Sequence, residues 1–212
     1  MYSVQGADSL GTHIEDYSVG HIGLKRFFTA LKNRETMNRP VRVAFLGDSF
    51  IEGDIVVADL RSALQKEFGG RGVGFVPIAS VAAQFRPTTL SGMMFEPKGE
   101  KVSVSVKTTN RYPELQSASS LKFLYEQNTR TRMKLHYNNL PDTINELLPV
   151  VSKITQYERK GTFTEATFSF TETEGFRALG VALEDNSGVV VDNYSLRGNS
   201  GMILNRLDSS LC

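Results

Sequence analysis

The stretch VRVAFLGDSFIEGD, residues 41–54, limits what this chain can fold into more than any other. Val41, Val43, Ala44, Phe45 and Leu46 form a nearly continuous apolar run. A strand of that kind is covered on both faces, which is the situation inside a parallel sheet. Gly47 allows a sharp turn, and Asp48 and Ser49 follow at once. From Asp54 the period changes: Val57, Leu60, Leu64 and Phe68 recur at helical spacing, with Asp54 placed as an N-cap and Gly69-Gly70 as a stop. Strand, glycine turn and helix in this order put the turn residues at the carboxyl end of a sheet, where open α/β folds carry their sites.

VVVDNYSLRGNSG, residues 189–201, repeats this grammar. Val189 to Val191 read as another buried strand, RGNSG as a glycine turn, and Ile203, Leu204 and Leu207 as the start of a helix. Val41–Leu46 and Val189–Val191 are therefore expected to be neighbouring parallel strands. Between the two units the period falls to two, in KVSVSVKTT, SLKFLYEQ, RTRMKLHYN, EATFSFTE and FRALGVALED. Turn residues such as Asn110, Pro113, Asn138, Asn139, Gly161 and Gly175 separate these segments. Short strands at that spacing predict an antiparallel sandwich or jelly roll over roughly Thr88 to Ala178. DTINELLPVV stays ambiguous, because Pro149 disfavours both a central strand and a long helix. Upstream, GHIGLKRFFTALKN places Ile22, Phe27, Phe28, Ala30 and Leu31 on an amphipathic helix that covers the sheet.

The predicted architecture is α/β: a flavodoxin-like parallel sheet, incomplete in this chain, with an inserted all-β sandwich. Residues 1–87 hold its first part, 88–178 the inserted module and 179–212 its continuation. A doubly wound domain usually has about five or six strands, and only two are legible here.

Composition excludes several classes. With 24 Lys+Arg against 23 Asp+Glu, the net charge is +1, and no basic stripe recommends a nucleic acid or an anionic membrane. No apolar run approaches the ~20 residues that span a bilayer. MYSVQGADSLGTH has neither the basic nor the apolar region of a signal peptide. Cys212 is the only cysteine, so no internal disulfide is expected. No Cys/His/Asp cluster has metal-ligand spacing, and no cofactor is implied. His13 and His21 read as surface or capping residues, and His136 lacks a neighbouring ligand-type side chain. Tyr112, Phe123, Tyr125, Tyr137, Tyr157 and Phe163 are expected mainly in the sandwich core. Arg130, Arg132, Arg159 and Lys160 are expected on a solvated face.

GDSFIEGD resembles block I of the SGNH (GDSL-type) hydrolases and acyltransferases. It is closest to the Gly-Asp-Ser-His-Ile-x-x-Asp variant of bacterial peptidoglycan O-acetylesterases, with Phe50 standing where that variant has histidine. GNSG resembles block II. The inserted sandwich is similar to the carbohydrate-binding-like module that such esterases carry between the two blocks. The resemblance implies Ser49 as nucleophile, the backbone N–H groups of Ser49 and Gly201 as oxyanion donors, and Gly47, Asp48 and Asn199 as turn-shaping residues. It implies a serine esterase that removes O-acetyl groups from a cell-envelope polysaccharide or peptidoglycan, outside the cytoplasm. The alternatives are an acyltransferase on the same polysaccharide and a non-catalytic carbohydrate-binding or adhesion protein. The late Asp-x-x-His motif, which supplies base and acid in that family, is absent from these 212 residues. The chain alone is therefore expected to be inactive. Its oligomeric state is left open.

Overall fold

The computed structural model describes residues 16–78, 89–94, 102–127, 130–198 and 200–201, with the backbone alone for 89–94 and 127. Most of the described elements belong to an antiparallel sandwich. Its first sheet has the order β2 (Gly74–Pro77), β10 (Arg177–Glu184), β5 (Ala118–Gln127) and β8 (Thr155–Phe163). The second has the order β3 (Thr89–Met94), β4 (Val102–Thr108), β9 (Glu165–Thr171), β6 (Arg132–Tyr137) and β7 (Ile144–Leu147).

Alternation in the sequence explains the layers. In β9, Ala166, Phe168 and Phe170 are buried while their neighbours are only partly covered, as a period of two requires. Phe123 of β5 meets Phe168 and Phe170 across the sandwich at ring-centroid distances of 5.1 and 4.9 Å. Val104, Val106, Leu121, Tyr125, Met133, Leu135 and Phe163 also belong to this core. Phe123, Tyr125 and Phe163 are thus core residues, as expected, while Tyr112, Tyr137 and Tyr157 are partly buried against the same cluster.

A smaller layer stands beside the sandwich. Strands β1 (Val41–Phe45) and β11 (Val189–Asn193) pair in parallel, with Val41 opposite Val189 and Phe45 opposite Asn193. Helices α1 (Lys25–Lys32) and α3 (Ile55–Phe68) give Leu31 and Val57 to a separate core with Val41, Val189 and Val191. The short helix α2 (Ser49–Glu52) joins β1 to α3. Phe27 and Ala30 of α1 pack on this core, whereas Phe28 is 53% exposed, so the helix buries only one edge of its apolar face.

The expected pairing of the two apolar runs is present, but the expected fold class is not. Seven of the eight strand pairings among the described residues are antiparallel, and no flavodoxin-like parallel sheet forms among them. The reason is numerical. Two apolar runs can satisfy only each other, while nine strands of lower hydrophobicity close a sandwich around nineteen buried apolar side chains. The described residues form a β sandwich with a two-stranded parallel layer and its helices beside it.

The two layers are tied by buried charge. Arg42 of β1 bonds Asp192 of β11 and also reaches Glu184 of β10 at 2.5 Å. The second oxygen of Glu184 accepts from Lys122 Nζ of β5 at 2.7 Å. Asp192 also accepts the backbone N–H of Phe75 in β2 at 2.7 Å. Glu184 and Asp192 are fully buried, so each needs these partners to offset its lost hydration.

Candidate functional site

The Gly-Asp-Ser turn lies at the carboxyl end of the parallel pair, between β1 and α2. Asp48 takes an extended conformation and its side chain accepts from the N–H of Phe50 at 3.0 Å, so it caps α2. Ser49 is the first residue of that helix and is exposed. Gly47 has no room for a side chain. A Cβ there would fall 2.8 Å from Ile51 Cβ and 2.9 Å from Ser195 Oγ. Close by, the chain leaving β11 runs beside the turn: Tyr194 N–H donates to Phe45 O at 2.9 Å and Leu196 N–H to Gly47 O at 3.0 Å.

A buried polar network braces the turn from below. Asp54, in the left-handed region with φ 65°, is fully buried. Its carboxylate receives Arg61 Nη1 at 2.8 Å and Nη2 at 3.1 Å, a two-pronged pair. Arg61 is 1% exposed and also donates from Nε to Val191 O at 2.9 Å. Asn193 donates from Nδ2 to both Asp54 Oδ1 and Ile51 O at 2.9 Å, and its Oδ1 accepts from Ser195 N–H at 3.0 Å. Asp54 therefore occupies the N-cap position of α3 without capping it, because its side chain is committed to Arg61 and Asn193. Above the network, Arg197 Nε donates to the nearly buried Glu52 at 2.9 Å.

Of the residues singled out in the sequence, Gly47, Asp48 and Ser49 come together in one turn. Gly201 is exposed at φ 80°, and Asn199 and the predicted helix through Ile203, Leu204 and Leu207 lie outside the described residues. His21 is exposed and its Nδ1 sits against Asp16 O, and His136 is half-buried in β6. Among the described residues neither histidine hydrogen-bonds Ser49, and no group of three His, Cys, Asp or Glu side chains could hold a metal ion. No helix among them is long and apolar enough to cross a membrane.

Arg61 and Asn193 were not singled out by the sequence. The one signal for Arg61 was its place seven residues after Asp54, on the helical face shared by Val57 and Leu64. A charged side chain there is buried only with a partner. Tyr194 went unnoticed as well. It lies between the two layers, 41% exposed, with its ring 5.3 Å from that of Phe75. Phe75 in turn lies over Gly180, where a Cβ would come within 2.2 Å of the ring. Burial pushes the Tyr194 phenol up to about 12, the charge of Asp192 adds to this, and Arg42 opposes it.

No family model and no curated sequence matches this chain. Solved structures do match in shape. One described as a peptidoglycan O-acetylesterase in action aligns with 88% of this chain at 15% identity and a TM-score of 0.51. This chain spans 55% of the length of that one, and the likeness shows the fold alone. A family 32 carbohydrate-binding module from C. perfringens NanJ, in complex with galactose, aligns with 57% of this chain and 96% of its own, at 9% identity and a TM-score of 0.32. A family 29 carbohydrate-binding module aligns with 55% of this chain and 77% of its own, at 12% identity and a TM-score of 0.28. At such scores these two likenesses carry no argument.

Proposed function

We propose that this chain has a carbohydrate-directed role and binds an acetylated cell-envelope polysaccharide, peptidoglycan being the first candidate, in the periplasm or outside the cell. The observation that carries this reading is the likeness in fold to the O-acetylesterase over 88% of the chain; in this chain a sandwich stands beside a serine-bearing turn. In this reading the sandwich, which takes in β2 and β10 as well as the strands within 88–178, forms the polysaccharide-binding module, and the serine-bearing part is the layer of β1, β11 and their helices beside it.

A second reading, serine acyl-transfer chemistry of the SGNH type, is favoured by one geometric fact. Ser49 is exposed at a strand-to-helix turn that a buried network holds rigid. Ser49 Oγ would attack the acyl carbonyl, and the N–H groups of Ser49 and Gly201 would receive the oxyanion. The sugar oxygen would leave with a proton. Water would then release acetate in an esterase, or a second sugar hydroxyl would take the acyl group in a transferase. This scheme needs a base at Ser49, which the described residues do not supply.

Isothermal titration with solubilised, O-acetylated peptidoglycan fragments, run beside p-nitrophenyl acetate hydrolysis, separates the two. The expected outcome is measurable binding that persists in Ser49→Ala, with hydrolysis near background. Absence of binding would overturn the first reading. Robust turnover that vanishes in Ser49→Ala would replace a purely binding role by the second.

A further inference from the structure

We propose that Tyr194, backed by Phe75, is a stacking platform for one pyranose ring of the polysaccharide, placed in the junction between the sandwich and the serine turn. This rests on the carbohydrate-binding reading above and adds to it a subsite that the sandwich alone does not contain.

The ring itself is the first reason. Several aromatic side chains are exposed, including Tyr17 at 88%, Phe28 at 53% and Phe50 at 86%. Tyr194 differs in being held across the junction, since it leaves β11 of one layer and its ring meets Phe75 of the other. Its ring lies 5.3 Å from Phe75 at an interplanar angle of 31°, and Phe75 is seated over Gly180. A ring whose orientation is already set loses little freedom when a ligand lands on it. Tyrosine also has the right chemistry, since its face is apolar, matching the C–H face of a pyranose, and its hydroxyl is polar.

The polar surround is the second reason. Asp192, Glu184 and Arg42 all act electrostatically on the phenol, and the two acids are paired with Arg42 and Lys122. The local sum is zero, so the junction does not select an ionic ligand. The acids are fully buried and already paired, whereas the side chains of Arg42 and Lys122 remain 37% and 17% exposed. What the junction offers a ligand is an aromatic face in the electrostatic range of one partly exposed guanidinium, that of Arg42. That combination fits a neutral, hydroxyl-rich ring or its acetyl carbonyl better than an anion or an alkyl chain.

Position is the third. Tyr194 N–H is bonded to Phe45 O, and Leu196 N–H to Gly47 O, so Tyr194 leaves the parallel pair at the same end as the Gly-Asp-Ser turn.

The test is isothermal titration of this chain with an N-acetylglucosamine tetramer and with solubilised peptidoglycan fragments. Tyr194→Ala should weaken binding about tenfold or more, Tyr194→Phe should stay within about threefold of wild type, and Tyr17→Ala, an exposed ring upstream of α1, should leave affinity unchanged. Because Tyr194→Ala could unfold the junction, the wild-type chain labelled with 3-fluorotyrosine supplies a second measurement. The resonance missing from the Tyr194→Phe spectrum should move on titration. Binding by wild type that Tyr194→Ala leaves untouched, or a still Tyr194 resonance while others move, would overturn the platform and leave the polysaccharide reading intact. No binding of either probe by wild type would remove both.

Discussion

Arg61 sits in α3 between apolar neighbours and is 1% exposed, with Asp54 fully buried at the start of the same helix. A pair of buried charges need not add stability over an apolar pair of the same volume, but breaking it leaves one charge stranded. Asp54→Ala and Arg61→Ala are each expected to cost about 3–5 kcal/mol in urea unfolding. Arg61→Met combined with Asp54→Ala is expected to cost less than either alone. A fully additive double variant would show that the two do not act as a unit. Residue by residue, the serine turn was legible because glycine, an N-capping aspartate and serine have local conformational signatures. The brace beneath it was not, since Asp54, Arg61 and Asn193 meet only after residues more than a hundred apart in the chain are folded together. Tyr194 allows a pH measurement at the same scale. Its phenol is pushed up to about 12 in the folded chain against an ordinary value of 10.0. Above pH 10 the unfolded chain releases this proton while the folded chain keeps it, so the contribution to stability is full below that value and is lost as pH rises towards 12. Absorbance titration should show a tyrosine ionisation near pH 12 that is missing in Tyr194→Phe.

Elements with a clean period of two were found directly: β4, β5, β6, β9 and β10 coincide with the five alternating segments. Three strands, β2, β3 and β8, were missed, and β7 lies in the stretch left ambiguous. In β8, an edge strand, Gln156, Glu158 and Lys160 face solvent, and Gly161 looked like a turn although its φ of 157° is close to extended backbone. In β2 only four residues pair, and Pro77 closes the strand at a sheet edge, where a missing N–H is tolerated. The parallel pair was legible, and its weight in the fold was overestimated, since apolar runs announce themselves more strongly than alternating ones. What holds that pair in place is close backbone approach. Gly188, at φ 75°, precedes β11 so tightly that a Cβ would lie 2.3 Å from Gly69 C. Gly175 has a similar φ of 70° but nothing within 4 Å. Both glycine-to-alanine changes incur the cost of a left-handed alanine, about 1–2 kcal/mol, and only Gly188→Ala must also push a neighbouring chain aside. Thermal unfolding should therefore place Gly188→Ala clearly below Gly175→Ala. Equal midpoints would mean the α3–β11 contact is slack.

At the scale of the whole molecule, sandwich and α/β layer are coupled through one side chain more than any other. Arg42 comes from β1 and ends on Glu184 of the sandwich, 142 positions away in sequence. It also neutralises Asp192, and both carboxylates are fully buried. Arg42→Ala leaves Lys122 to serve Glu184, and leaves Asp192 with the N–H of Phe75 but no cation. Because Arg42 is itself 37% exposed, water can enter the space it vacates. The expected loss is thus about 2 kcal/mol rather than the roughly 3–5 kcal/mol of a fully enclosed pair. The coupling should have a second signature. Arg42 opposes the rise in the Tyr194 phenol, while Asp192 and Glu184 promote it. Removing the cation should therefore push Tyr194 ionisation to still higher pH than in wild type. If Arg42→Ala destabilised the chain but left Tyr194 where it was, the junction would be a mechanical contact only. If Tyr194 moved upward as expected, the seam that fixes the two layers would also set the electrostatic character of the surface offered to a ligand. Arg42→Lys then separates charge from geometry: a single ammonium cannot serve both carboxylates with the guanidinium's fork, so it should hold the Tyr194 value near wild type while recovering only part of the stability.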